Sequence, residues 1–272
     1  VCSQAGAWEQ VELEKTFNIF TKITPMEYFY SENLSSRDKQ IKLSEEESRH
    51  LGKVQRKKPG DRIQITNGEG LLAEANVADE KSKSIICTIQ SSRIIPSSPE
   101  RNIHIALSTI RPNRMDWAVE KLTELGVGTI SFFYSHFTSV RAFKVDHLRK
   151  IAISAIKQSQ QAYLPQLNPP LPFSEWLHSF NEQENQMRLL AHLADKAQNM
   201  LKMQFDGIHL NRQSSIVVAI GPEGGFSKEE LITGCEKGFR LVSLDNNILR
   251  TETAAVVAAA QCKLTRKEVE GI

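Results

Sequence analysis

Two stretches in the last quarter of the chain carry residue types and spacings suited to ligand chemistry. The first is Ile220-Gly-Pro-Glu-Gly-Gly-Phe-Ser227. An apolar run leads straight into Gly221, Pro222, Glu223, Gly224 and Gly225, and Ser227 with Glu230 makes a capping box for a following helix. Glycines let backbone approach a ligand and adopt positive φ. A turn at the carboxyl end of a parallel strand is where open α/β sheets bind ligands. The stretch reads either as such a site or as a tight strand-to-helix turn alone. It is not a G-x-G-x-x-G fingerprint and has no Walker lysine, so phosphate cradling is weakly supported.

The second stretch is Leu244-Asp-Asn-Asn-Ile-Leu-Arg-Thr-Glu-Thr-Ala254. It stands between an expected strand and a helix, Ala254-Ala-Val-Val-Ala-Ala-Ala260, whose small apolar residues predict burial. Such a helix rarely needs Arg250, Thr251, Glu252 and Thr253 at its entrance for stability. The alternative for Thr251 and Glu252 is N-capping and pairing with the helix dipole.

The elements that must position these residues follow from periodicity. A short strand is expected over residues 27–30. Ser44-Glu-Glu-Glu47 predicts a capping box and a helix to about Val54. Strands are expected over residues 62–66, 71–77 and 84–89, with turns at Pro59-Gly60 and Asn67-Gly68. This first segment reads as a small β-rich barrel. Ile95-Pro-Ser-Ser-Pro99 reads as a linker. Beyond it, strands at 103–109, 129–134, 187–192, 215–220 and 240–244 alternate with helices. Those helices are expected from Met115 to Leu125, then over 145–161, 227–237 and 252–262. That alternation predicts a mostly parallel sheet covered on both faces.

Totals set the limits. The chain of 272 residues suits two domains of unequal size, and its 40% hydrophobic content is that of a globular protein. A formal net charge of +2 excludes an overall cationic field, so nucleic-acid affinity must come from local patches. Two are visible: Arg49, Arg56, Lys57 and Lys58, and Arg111, Arg114 and Lys121 along the first helix of the second segment. They read as phosphate contacts or as solvated surface. Cys2, Cys87, Cys235 and Cys262 lack C-x-x-C spacing, which suggests no metal site or disulfide framework and favours a cytoplasmic location. No apolar run approaches the roughly 20 residues of a membrane span. Residues 1–25 read either as an extension, disordered or wrongly started, or as a surface helix.

The pairing of Gly221-Pro-Glu-Gly-Gly225 with Ile248-Leu-Arg-Thr-Glu-Thr-Ala254 resembles the RsmE family, ribosomal RNA uridine-N3 methyltransferases of the SPOUT superfamily. Met115-Asp-Trp, Glu120-Lys-Leu-Thr-Glu-Leu-Gly-Val127, Lys157-Gln-Ser159 and Pro165 match further parts of the family pattern. His50-Leu-Gly-Lys-Val54, Arg56, Gly60 and Asp61 match its N-terminal PUA-like barrel. The resemblance covers roughly Met26 to the end.

It implies an α/β fold: a PUA-like RNA-binding barrel over 26–96, then a SPOUT-type knotted, parallel-sheet methyltransferase domain over 101–272. It implies S-adenosyl-L-methionine as cofactor, held by Leu190, Ala191, His192, Ile220, Gly221, Pro222, Glu223, Gly224, Gly225, Leu244, Ile248, Leu249 and Thr253. It implies small-subunit (16S) ribosomal RNA as partner and a homodimer. Arg250 then suits charge developing on a uracil carbonyl, and Glu252 suits orienting Arg250 or capping the helix. The chain departs from the family pattern at Asp245, Asn247, Gln161 and Ser135-His136-Phe137-Thr138. Asp245 and Asn247 favour the rival reading, a catalytically weak RNA-binding or ribosome-assembly protein that keeps the fold. Ribose 2′-O methylation is disfavoured by the PUA-like segment and the Arg-Thr-Glu-Thr motif.

Overall fold

The computed structural model describes residues 26–79, 84–180, 185–192 and 213–270, with side chains to Arg266 in the last helix. The expectation for residues 1–25 lies outside the described residues.

The first segment folds as a five-stranded sheet. Its strands are β1 (Tyr28–Tyr30), β2 (Gln40–Lys42), β3 (Arg62–Thr66), β4 (Leu71–Asp79) and β5 (Ile86–Ile94), in the order β1-β3-β4-β5-β2. Only β1 and β3 pair in parallel; β3-β4-β5 is an antiparallel meander and β2 adds antiparallel to β5. Inward positions Ile63, Ile65, Ala73, Ala75, Val77 and Cys87 enclose a core closed by Phe29, Leu43 and Leu51. Helix α1 (Glu45–Arg49) runs on as a single π-helical turn, His50–Val54. Only half of the expected capping box forms. Ser44 Oγ accepts from the Glu47 backbone N–H, but the Glu47 carboxylate is not used on Ser44 and accepts instead from Lys157 Nζ at 2.5 Å.

The second segment is a six-stranded, all-parallel sheet. Its strands are β6 (Ile103–Ser108), β7 (Thr129–Tyr134), β8 (Gln166–Pro172), β9 (Gln186–Ala191), β10 (Ser215–Ile220) and β11 (Arg240–Val242), in the order β11-β9-β10-β6-β7-β8. One face carries α2 (Pro112–Glu124), α3 (Val145–Gln158) and α6 (Thr251–Glu270); the other carries α4 (Phe173–His178) and α5 (Lys228–Glu236). Two apolar layers result, as a doubly covered sheet requires. On one side Ile105, Leu107, Val218, Met115, Leu122, Ala255 and Ala258 pack together. On the other, Phe133, Phe173, Trp176 and Phe226 pack on Ala219 and Leu190.

The expected linker is tied down. The Ile95 N–H donates to the Gly70 carbonyl at 2.8 Å, and Tyr163 Oη donates to the Ile95 carbonyl at 2.7 Å. Thr66 Oγ1 and the Gly70 N–H both donate to the Ala162 carbonyl. A Cβ at Gly70 would stand 2.3 Å from the Tyr163 hydroxyl, so only glycine permits this approach. With Lys157–Glu47 and Arg149–Glu32 alongside, the two sheets meet across a polar, hydrogen-bonded seam.

Candidate active site

Parallel strands deliver their loops to one edge of the sheet, and here the two motif loops meet. The loop after β10 turns tightly, with the Gly225 N–H donating to the Pro222 carbonyl at 2.8 Å and Gly225 at φ 73°. Ser227 then starts α5 with the full reciprocal capping box the sequence predicts. The loop after β11 closes on itself. Asp245 Oδ1 accepts from the Asn247 backbone N–H at 2.7 Å and from Asn247 Nδ2 at 2.9 Å. An Asx turn thus replaces the conformational freedom that a glycine would give. Thr251 Oγ1 donates to the Gly221 carbonyl at 2.9 Å and fastens one loop to the other.

Between them lies a cleft of about 260 Å3. Its walls include Ala191, His192, Ile220, Gly221, Pro222, Glu223, Gly224, Gly225, Leu244, Ile248 and Leu249, all anticipated from the sequence. Phe226, Ser243, Asp245, Asn247, Thr251 and Ala254 complete it. Leu190 is not part of it: the side chain is fully buried in the aromatic layer behind the sheet. Thr253, the third residue of α6, is also absent from the lining. Asp245 and Asn247 were visible in the sequence as departures from a pattern. Phe226 and Ala254 look like ordinary core residues until the cleft is seen.

The cation at this site is Arg114, at the start of α2. Its Nη1 lies 2.7 Å from Glu223 Oε1 and its Nε 3.6 Å from Glu252 Oε1, so one guanidinium joins the first loop to the second. Glu252 is 7% exposed and its Oε2 has no hydrogen-bond partner. The Arg250 side chain, by contrast, is exposed and makes no hydrogen bond or ion pair among the described residues. The Arg250–Glu252 pairing, one of the two roles the sequence offered Glu252, is therefore absent, and Arg114 takes that place. Sequence reasoning put Arg114 on an RNA-facing patch because helical periodicity tells which face a residue occupies, not which distant loop returns to meet it.

The remaining basic candidates divide. Arg49, Arg56 and Arg111 are exposed and form no ion pair among the described residues. Lys57 pairs with Glu27 at 3.4 Å. Lys121 sits between Glu120 and Glu124, at 2.7 and 2.9 Å, whose hydrogen bonds raise its pKa. Gln161 is not a surface substitute for a basic group. Its Nε2 donates to the Thr123 and Glu124 carbonyls, both at 2.9 Å, and closes the end of α2.

This arrangement can be set beside known proteins. Residues 96–263 match the model of an RNA methyltransferase domain, and residues 43–90 that of an RNA methyltransferase PUA domain. The chain belongs to the RsmE family of RNA methyltransferases. Ribosomal RNA small subunit methyltransferase E of Buchnera aphidicola is 32% identical over 224 residues, covering 79% of this chain and 84% of that protein. A probable rRNA-methyltransferase of Porphyromonas gingivalis, known from its crystal structure, superposes with a TM-score of 0.78 at 30% identity, covering 88% of this chain and 98% of that one. The methyltransferase E of Neisseria gonorrhoeae, crystallised with S-adenosyl methionine, gives a TM-score of 0.76 at 30% identity over 88% of this chain and 97% of that one. The SPOUT-type α/β domain with a PUA-like segment ahead of it is thus the architecture of this RsmE-family chain.

Proposed function

We propose that this chain methylates N3 of a uridine in small-subunit (16S) ribosomal RNA, with S-adenosyl-L-methionine as methyl donor. The observation that carries this reading is the cleft where the two motif loops are fastened together by Thr251 and Arg114, in a chain of this family. The residues fit the cofactor. Ile220, Leu244 and Leu249 offer apolar walls to an adenosine, and Glu223, Asp245 and the nearby Glu252 surround the cleft with carboxylates that suit a cationic ligand. The bound cofactor supplies a methyl group on a positive sulfur, an activated leaving group.

The work left to the chain is positioning and charge. The glycine-rich turn lets backbone line the cleft closely. Arg114 lies on the rim with Glu223 and is aimed by the buried Glu252; a guanidinium there stabilises charge gathering on a uracil carbonyl oxygen as N3 loses its proton. Arg250, exposed on the second loop, is the other candidate for the same duty. Arg49, Arg56 and Arg111 are the groups free to contact phosphates. We assign RNA binding to residues 26–96 and methyl transfer to residues 101–272. α2 and α6 pack side by side and leave Trp117 and Leu264 exposed, at 41% and 62%, which supports a homodimer. The free thiols of Cys87, Cys235 and Cys262 support a reducing, cytoplasmic location.

The test is methyl transfer from radiolabelled cofactor to small ribosomal subunits, or their RNA, from cells lacking this protein, followed by nucleoside mass spectrometry. 3-Methyluridine is the expected product. Cofactor binding without any methylated nucleoside would favour the RNA-binding or assembly role instead.

A further inference from the structure

Ser135-His136-Phe137-Thr138 follows β7 and is the one departure from the family pattern that the reading above leaves unused. Its placement is specific. β6 lies between β7 and β10, and this turn crosses over the end of β6 to reach the glycine-rich loop. The crossing is marked by a 2.7 Å hydrogen bond between Ser108 Oγ and Thr138 Oγ1. At its far side the His136 N–H donates to Glu230 Oε1 at 2.8 Å, at the start of α5. Within the turn, the Ser135 N–H donates to Thr138 Oγ1 at 2.8 Å and the Thr138 N–H to the Ser135 carbonyl at 3.1 Å.

This fixed turn presents Phe137. A Cβ built on Gly224 would stand 2.8 Å from Phe137 Cβ and 3.2 Å from its Cγ, so the root of the side chain rests on the loop that lines the cofactor cleft. The ring meets His136 edge to face at 4.6 Å and remains 48% exposed. An isolated exposed apolar residue usually needs no explanation. This one sits on a turn fixed by hydrogen bonds of Ser135, His136 and Thr138 at the rim of the active site, where a flexible or polar residue would leave less apolar surface in water. Tyr134, at the end of the same strand, carries the guanidinium of Arg141 over its ring at 5.0 Å.

We propose that Phe137 is a stacking platform for an unpaired nucleobase of the substrate RNA, at or beside the target position. The inference deepens the methyltransferase reading and rests on it for the identity of the RNA. Single-stranded RNA is recognised largely by stacking of splayed bases on aromatic rings, with nearby cations taking the phosphates. Every base has a π-face, so such a platform adds affinity and orientation without reading sequence. Because the turn is already ordered, stacking there immobilises little beyond the base itself.

The experiment uses the full chain and the variants Phe137→Ala, Phe137→Leu and Phe137→Tyr. RNA affinity is read by filter binding to small ribosomal subunits from cells lacking this protein, cofactor affinity by calorimetry, and methyl transfer separately. Loss of one base–aromatic stack lowers affinity roughly 5- to 150-fold. Phe137→Ala and Phe137→Leu are therefore expected to lose at least about fivefold in RNA affinity, with cofactor affinity unchanged and Phe137→Tyr restored. Rescue by leucine would show apolar packing and overturn the proposal. So would a parallel loss of cofactor affinity in Phe137→Ala, which would make the ring a brace for the glycine loop, or a changed oligomeric state, which would make it an interface between copies. A wild-type chain that binds subunits in a Phe137-dependent way yet transfers no methyl group would defeat the enzymatic reading and leave the platform standing.

Discussion

Replacing Arg114 by methionine separates the guanidinium that holds the site together from the one that only borders it. Methionine keeps an unbranched stem that reaches about as far as the Nε position and removes the guanidinium with its charge. Two contacts disappear. The arm to Glu223 is half exposed on the carboxylate side, and a pair of that kind contributes about 0–1 kcal/mol. The arm to Glu252 matters more, because that carboxylate side chain is only 10% exposed and its other oxygen already lacks a partner. Breaking a buried pair and stranding one charge costs about 3–5 kcal/mol. The contact here is long, at 3.6 Å, and Arg114 is 24% exposed, so the lower part of that range applies. The expected loss is about 3 kcal/mol, or roughly 6–12 °C in Tm for a chain of this size. Arg250→Met removes the same charge from an exposed side chain without partners and should stay within about 0.5 kcal/mol of wild type. The double variant Arg114→Met/Glu252→Gln should recover part of the loss, since a neutral amide needs no counter-charge. Calorimetric melting of the four proteins at neutral pH reads all of this. Equal melting temperatures for Arg114→Met and wild type, or an Arg250→Met that melts as low as Arg114→Met, would refute the assignment of Arg114 as the tie between the loops.

Gly224→Ala should weaken cofactor binding at least about tenfold by calorimetry and cost about 1–3 kcal/mol, because its Cβ would meet Phe137 Cβ at 2.8 Å and force the loop or the turn to move. Unchanged affinity and stability would show that the turn yields freely. Burial pushes the His104 imidazole down to about 4 from its usual 6.5. The unfolded chain then takes up a proton near pH 6.5 that the folded chain refuses, so this group's stabilisation is complete above about pH 6.5 and is lost as pH falls towards 4. The span corresponds to on the order of 3 kcal/mol. Denaturant melts of His104→Gln from pH 7 to pH 4 should show a flatter decline than wild type; parallel curves would remove His104 from the acid response.

Local chemistry was legible in the sequence, and long-range pairing was not. The Ser227–Glu230 capping box, the β7 and β10 boundaries and the glycine-rich turn follow from patterns within a few residues, whereas Ala191, His192, Leu244, Ile248 and Leu249 entered the expected cleft lining only through the family resemblance. β8 was missed because Pro169, Pro170 and Pro172 argue against a strand, yet it lies at the sheet edge and pairs with β7 alone, where a missing N–H is tolerated. The three-residue β2 and the six-residue α4 are too short to show a period. Glu47 carried a correct local signal, a glutamate three residues after Ser44, but its carboxylate is used by Lys157, 110 positions away. Arg114 repeats that lesson at the active site, 109 positions from Glu223. In both cases a charged side chain had an adequate local explanation, and the fold supplied a closer partner from a distant loop. Charge complementarity between elements is set by which strand ends share a sheet edge. The order β11-β9-β10-β6-β7-β8 brings β10 beside β6, so the loop after β10 meets the helix that follows β6. The same adjacency carries the turn after β7 across the end of β6 to Gly224, so one crossing determines both the ion pair that holds the loops and the aromatic ring at their rim.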